Sequence, residues 1–229
     1  MRNMSYMWEN FNIKPFPAET IVYRDGVYYP ELSTIKDGPI NKNYDLPVHI
    51  IYVGEITGKC RLDIDVNVQN QKVYLSVNIK NKFPAFFNIF IKNTGKNSEI
   101  RGHILMDNYD NLTFDCIAYH GAENTGILLQ NKLIANKDSI SKLSATAIID
   151  KNCENCNSDI NFSAISDKNA KIEFLPAQRI ASVPENAGHS ASIFLPKPIQ
   201  IQFLREAGLS VNEIDDVMRE SFINDFSLF

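Results

Sequence analysis

The sequence predicts a mainly β chain that ends in two short helices, on three observations. Runs of alternating apolar and polar residues fill the middle, clusters rich in Asn, Asp and Ser separate the runs, and the texture changes after Leu195 to proline, glycine and helix-capping residues. The runs recur roughly every 10 to 12 residues, a spacing that suits sandwiches, barrels and solenoids. The later runs are rich in small residues and end in asparagine-bearing turns, while Asn-Gly and Asp-Gly hairpin signals are missing between the runs of the middle, 61–180. Periodicity thus leaves a sandwich open and favours a solenoid.

The elements follow in order. In RLDIDVNVQNQKVYLSVNI (61–79), Leu62, Ile64, Val66 and Val68 alternate with polar residues, and Val73, Leu75, Val77 and Ile79 repeat the pattern after a turn. Side chains of a strand point to opposite faces in turn, so each run buries one face and wets the other. Further runs are Phe87-Ile89-Ile91, Leu112-Phe114-Cys116-Ala118, Leu143-Ala145-Ala147-Ile149, Ile160-Phe162-Ala164 and Ile172-Phe174. Turn clusters such as KNTGKNS, DNYDN, ANKDS, DKNCENCNS and SDKNAK lie between them.

Pro196 and Pro198 stop strand pairing, since proline lacks the ladder donor, and Pro198 suits the first turn of a helix. Ile199, Phe203, Leu204 and Ala207 form a short apolar face that ends at Gly208, a left-handed C-cap followed by apolar Leu209. Ser210 and Glu213 write a capping box for a second helix with Ile214, Val217, Met218 and Phe222 inward. The expected organisation is a lead-in over 1–20, a β core over 21–195 and a helical region over 196–229.

Composition narrows the function. The chain has 229 residues and a formal net charge of -4, with its lysines scattered among asparagines and acids, so the basic stripe of a nucleic-acid binder is missing. No apolar run approaches the ~18 residues of a membrane span, and the opening lacks the pattern of a secretory leader. Four unevenly placed cysteines, Cys60, Cys116, Cys153 and Cys156, suit free thiols in a reducing compartment. The expectation is a soluble, cytoplasmic protein.

Several residues could carry chemistry. His189 sits among the small residues Gly188, Ala191 and Ser192, where a neutral imidazole could ligate a metal or hydrogen-bond a last solenoid turn. Cys153 and Cys156 are spaced to chelate one ion, although zinc sites normally add a second pair; two thiols in a loop is the simpler account. Cys116 lies on an apolar face, His120 is near Glu123 in a turn, and His49 and Cys60 offer nothing beyond position. Phosphate-binding glycine loops, nucleophile elbows and metalloprotease helices are missing from the sequence.

The C-terminal stretch resembles the SufB/SufD scaffold proteins of iron-sulfur cluster assembly. His189-Ser190-Ala191-Ser192 is similar to the family's histidine motif, and FLREAGLS (203–210) to the start of its helical end. Upstream, NSDINFSAISDKNAKIEFLPAQRIA (157–181) resembles the last β-helical turns, with Pro176 in place of the family's proline, and IVYRDGVYYPELS (21–33) and LPVHIIYVG (46–54) resemble the SufD version of the beginning. Asn161 stands about where SufB has a cysteine, and Ser190 where SufB has a glutamate, so the likeness is to SufD. Ala207 and Lys197 replace a family arginine and aspartate, and the N-terminal helical region is nearly lacking.

The resemblance implies a right-handed parallel β-helix (solenoid) core with a short C-terminal helical hairpin. It implies a non-enzymatic scaffold subunit that pairs with a SufB-like subunit, or with a second copy of itself where SufB is absent, and docks a SufC-like ATPase. His189 would then assist a transient iron-sulfur cluster at the partner interface, with no group permanently bound and a flavin on the complex. Docking would fall to Phe203, Leu204, Gly208, Leu209, Ile214 and Met218. The competing expectations are a β-helix carbohydrate-active or adhesive protein, which needs clustered carboxylates or aromatic ladders, and an inactive structural paralogue.

Overall fold

The computed structural model describes residues 17–167, 169–183 and 185–224; most of the lead-in expected over 1–20 lies outside them. In chain order the strands are β1 (Glu19–Arg24), β2 (Val27–Tyr28), β3 (Val48–Glu55), β4 (Gly58–Val66), β5 (Lys72–Asn81), β6 (Ala85–Asn93) and β7 (Glu99–Asn108). They continue with β8 (Asn111–His120), β9 (Gly126–Ala135), β10 (Ile140–Ile149), β11 (Cys156–Ser166), β12 (Lys171–Ile180) and β13 (Glu185–Phe194). Two helices follow, α1 (Pro198–Glu206) and α2 (Val211–Asn224).

The strands wind into a parallel β-solenoid of about six turns. One wall is an eight-stranded sheet ordered β13-β11-β9-β7-β5-β3-β1-β2, the other a five-stranded sheet ordered β12-β10-β8-β6-β4. Every pairing is parallel except the β1–β2 hairpin. From β3 onward consecutive strands therefore lie on opposite walls, and each pairs with the next but one. A coil holds two strands, and stacked positions recur at separations such as 27, 29 and 31 residues.

That repeat is written in the turns. Asn70, Asn97, Asn124 and Asn155 occupy the left-handed region with φ of 60°, 59°, 55° and 56°, which asparagine tolerates better than other side-chain-bearing residues. Each precedes a buried Gln71, Ser98, Thr125 or Cys156. The Asn97 side chain donates to Asn70 Oδ1 in the coil below at 3.2 Å. At the opposite corner Asn81 donates to Asn108 at 2.8 Å, and Asn108 to Ser141 at 2.6 Å. These ladders satisfy polar groups that the close stacking of coils would otherwise strand.

Between the walls the alternating residues meet in one core. A column of rings runs through it: Tyr52 to Phe87 at 5.1 Å, Phe87 to Phe114 at 6.2 Å, Phe114 to Phe162 at 6.3 Å and Phe162 to Phe174 at 5.5 Å. Strands β7 and β9 escape a search for alternation because both of their faces are covered. The cover on the outer face is α2. Its Ile214, Met218 and Phe222, four residues apart and so on one face, pack on Leu105, Ile134 and Ile165 of β7, β9 and β11.

Polar contacts pin the same helix. Arg219 donates to Asn136 Oδ1 at 2.9 Å and to Asp167 Oδ2 at 2.7 Å, and buried Lys132 donates to the Phe222 carbonyl. The helices thus lie along a wall of the solenoid and not across its open end. The caps are as expected. Gly208 has φ of 91°, its N–H bonds to the Arg205 carbonyl at 2.9 Å and that of Leu209 to Leu204 at 3.2 Å, the paired bonds of a Schellman ending. Ser210 N–H donates to Glu213 Oε2 at 2.8 Å.

Candidate functional site

The last coil is where core-facing residues meet solvent. β13 pairs with β11 on one side and β12 with β10 on one side, and each is the terminal strand of its sheet. Register sets His189, Ala191 and Ile193 beside Ile160, Phe162 and Ala164. Neighbours in register point to the same face of a sheet, so these three continue the rows that are buried one coil earlier. They are nonetheless exposed, Ile193 by 48%. On the other wall Phe174 and Pro176 continue the rows of Leu143 and Ala145. Pro176 is tolerated mid-strand because β12 is an edge, where no further ladder donor is required. Leu175, Val183, Phe194 and Leu195 add exposed apolar surface to this end.

His189 accordingly projects from the core-facing row of an uncovered edge strand. On the opposite face of the same strands Ser190 Oγ donates to Asn161 Oδ1 at 2.6 Å, and Asn161 Nδ2 donates to Asp159 Oδ2 at 3.0 Å. Asn161 and Ser190 are partners in register. These two residues, 29 apart in sequence, are therefore direct cross-strand neighbours next to His189. Residue order alone could not pair them, since the pairing depends on the length of the intervening coil.

The other expected residues lie elsewhere. Cys153, in the turn before β11, and Cys156, the first residue of that strand, are both free thiols and are buried with Ile149 and Ala187. Cys156 Sγ donates to the Ala122 carbonyl at 3.3 Å and lies 3.2 Å from Thr125 Oγ1, and Cys153 Sγ donates to the Lys151 carbonyl at 3.6 Å. Burial first, and the neighbouring Cys156, push the Cys153 thiol above its ordinary value, so it is poorly suited to act as thiolate or ligand. Cys116 is sealed in the core and burial drives it up to about 12.

His120 is inside the wall, its Nδ1 2.8 Å from Thr125 Oγ1, and burial lowers it to about 4. Glu123 is outside, paired with Lys96 at 2.7 Å. The two do not form an acid-base pair. His49, 2.8 Å from Ser76 Oγ, is also buried and is lowered to about 3 by burial and by His103. Among the described residues no three of His, Cys, Asp and Glu converge on one point, so His189 has no second and third ligand from its own chain there.

The six helical residues expected to dock a partner divide. Ile214 and Met218 are buried against the solenoid wall, and half-buried Leu204 and Leu209 pack on the same cluster. That packing takes the cluster-facing sides of Ile214 and Met218 out of any partner contact and corrects the expectation for them in that part. Phe203 is 68% exposed and Ile199 67%. With Leu204, Val217 and the remaining face of Met218 they line an open groove of about 430 Å³ between α1 and α2. Val217, expected inward, turns into this groove because α2 already presents a narrower face to the wall.

No protein-family model and no curated protein matches the chain. Among the described residues no helix is long and apolar enough to cross a membrane.

Proposed function

We propose that this chain is a SufD-like scaffold subunit of an iron-sulfur cluster assembly complex, joined to a SufB-like subunit through its open solenoid end and to a SufC-like ATPase through its helices. The observation that carries the reading is the uncovered last coil. Two edge strands present unpaired backbone groups together with apolar side chains from the core rows. An exposed apolar edge of this kind favours addition of another strand, and a second solenoid of matching end would continue both sheets and bury Phe174 and Ile193. Where the SufB-like subunit is absent, a second copy of this chain takes the same place.

In that arrangement His189 lies in the joint. The nascent cluster is cargo, held transiently with ligands contributed by the partner, because His189 has no convergent ligands from its own chain among the described residues. The flavin of the complex draws on no residue assigned here. Movement of the ATPase subunits would be transmitted through α2, whose apolar and ionic contacts span β7, β9 and β11, and ATP would then act by changing the relative stability of two assembly states.

Co-purification with a SufB-like subunit and a SufC-like ATPase tests the proposal. Leu204→Asp should abolish recovery of the ATPase and leave the SufB-like subunit bound; Ile193→Asp should do the reverse. His189→Ala should fold, assemble and yield less cluster. Failure of the wild-type chain to associate with either protein over a range of salt concentrations overturns the reading.

A further inference from the structure

The groove between α1 and α2 is unlike the rest of the helical pair. Ile199 and Phe203 are largely uncovered within it and Val217 is 39% exposed, although fully burying a large apolar side chain stabilises by ~1.5–3 kcal/mol. Its volume of about 430 Å³ falls within the roughly 300–1,000 Å³ of pockets that bury a bound group. The charges that α2 sets beside it have one sign. Glu213 and Glu220 lie four residues before and three after Val217 on the exposed side of α2, and Asp216 adjoins it. The arginines of the two helices are turned elsewhere: Arg219 reaches Asp167 on the solenoid, and Arg205 lines a separate small cavity with Asp215.

We propose that this groove receives an amphipathic helix of another polypeptide, presenting two large apolar side chains one turn apart flanked by lysine or arginine. Apolar anchors fill the space between Phe203 and Val217, and the basic flanks meet the carboxylates of α2, a helix-in-groove mode of recognition. A second copy of this chain is a poor occupant, since it would bring one acidic α2 against another. The inference gives the ATPase-docking part of the proposed function its chemistry and rests on that reading only for the partner's identity.

The test uses the full chain and a fluorescent peptide of about 16 residues, long enough for one amphipathic helix, with leucines on one face and lysines on the other. Anisotropy should report saturable binding, at least about tenfold tighter than for the same peptide with glutamates replacing the lysines. Binding should weaken as salt rises from about 50 to about 500 mM, as expected for exposed charge pairs. Val217→Ser and Phe203→Ser, both at exposed positions, should each lower affinity about tenfold, while Asp216→Asn with Glu220→Gln should remove the preference for lysine. No binding, equal affinity for the two peptides, or unchanged affinity in the groove variants overturns the inference. The scaffold reading is judged separately. An ATPase that still co-purifies with the Val217→Ser chain sinks the groove alone, and peptide binding without any ATPase association sinks the scaffold alone.

Discussion

The two ends of the solenoid are built on opposite plans. At the beginning, both walls are met by further chain, β1 along much of its length and β4 at the Ile40–Val66 bridge. The free side of β1 is closed by β2 and by the segment after it: Tyr29 N–H donates to the Val22 carbonyl at 2.8 Å, the Ser33 hydroxyl accepts from Val22 N–H at 3.0 Å, and the Thr34 hydroxyl accepts from Thr20 N–H at 2.7 Å. Ile40 does the same for the other wall, donating to the Asp65 carbonyl at 2.8 Å and accepting from Asn67 at 3.1 Å. At the far end no further strand among the described residues pairs with β12 or β13, and apolar side chains are exposed there. Edges invite pairing with other chains, and proteins that must stay apart cover them. Under the proposed function the first end would serve as a terminus and the second as a joint.

The largest effect expected from breaking this contrast is in the core column. Phe114→Ala, in the covered middle, should cost ~3–5 kcal/mol in urea unfolding, whereas Phe174→Ala on the half-open last coil should cost under about 2 kcal/mol in the isolated chain. Equal losses would mean that the end is covered in solution. Acid comes next. His120 and His49 are lowered to about 4 and about 3, chiefly by burial, so below their unfolded value of about 6.5 the unfolded chain binds more protons than the native one. Stability is complete above that value and falls as pH drops from about 6.5 toward 4, by on the order of 2–3 kcal/mol for His120. Denaturant midpoints across this range check it, and His120→Asn should flatten the slope.

A smaller change comes from opening the covered edge. Ser33→Ala with Thr34→Ala removes side-chain bonds to β1 and should cost ~1–2 kcal/mol in all, with faster amide exchange at Thr20 and Val22. The smallest is at the joint itself: Ile193→Ala should shift stability of the isolated chain by no more than about 0.5 kcal/mol and yet weaken association. A large loss of monomer stability would contradict the comparison between the ends.

Much of the fold could be read in the residues. The five strands of the smaller sheet alternate cleanly because their outer face is wet, and Leu62, Ile89, Phe114, Leu143 and Phe174 were placed by alternation alone. The helix ends at Gly208 and Ser210 were legible because capping is local chemistry. β7 and β9 were not, since Leu105 and Ile134 face outward and only α2 makes them interior. The site divides in the same way. His189 stood out by type and neighbours. Its position in a core-facing row, and the pairing of Asn161 with Ser190, follow from register between strands 29 residues apart.

The residues by themselves determined the alternating strands, the turns and the caps, because alternation, left-handed asparagines and capping side chains act within a few positions of the chain. The tertiary structure alone decided which strands stack, which face of β7 and β9 is dry, and that Val217 opens on a groove while Met218 is largely buried. Those outcomes depend on how many residues each coil spends before returning and on where α2 comes to rest. Both are settled by packing between segments far apart in the chain, where no local preference reaches.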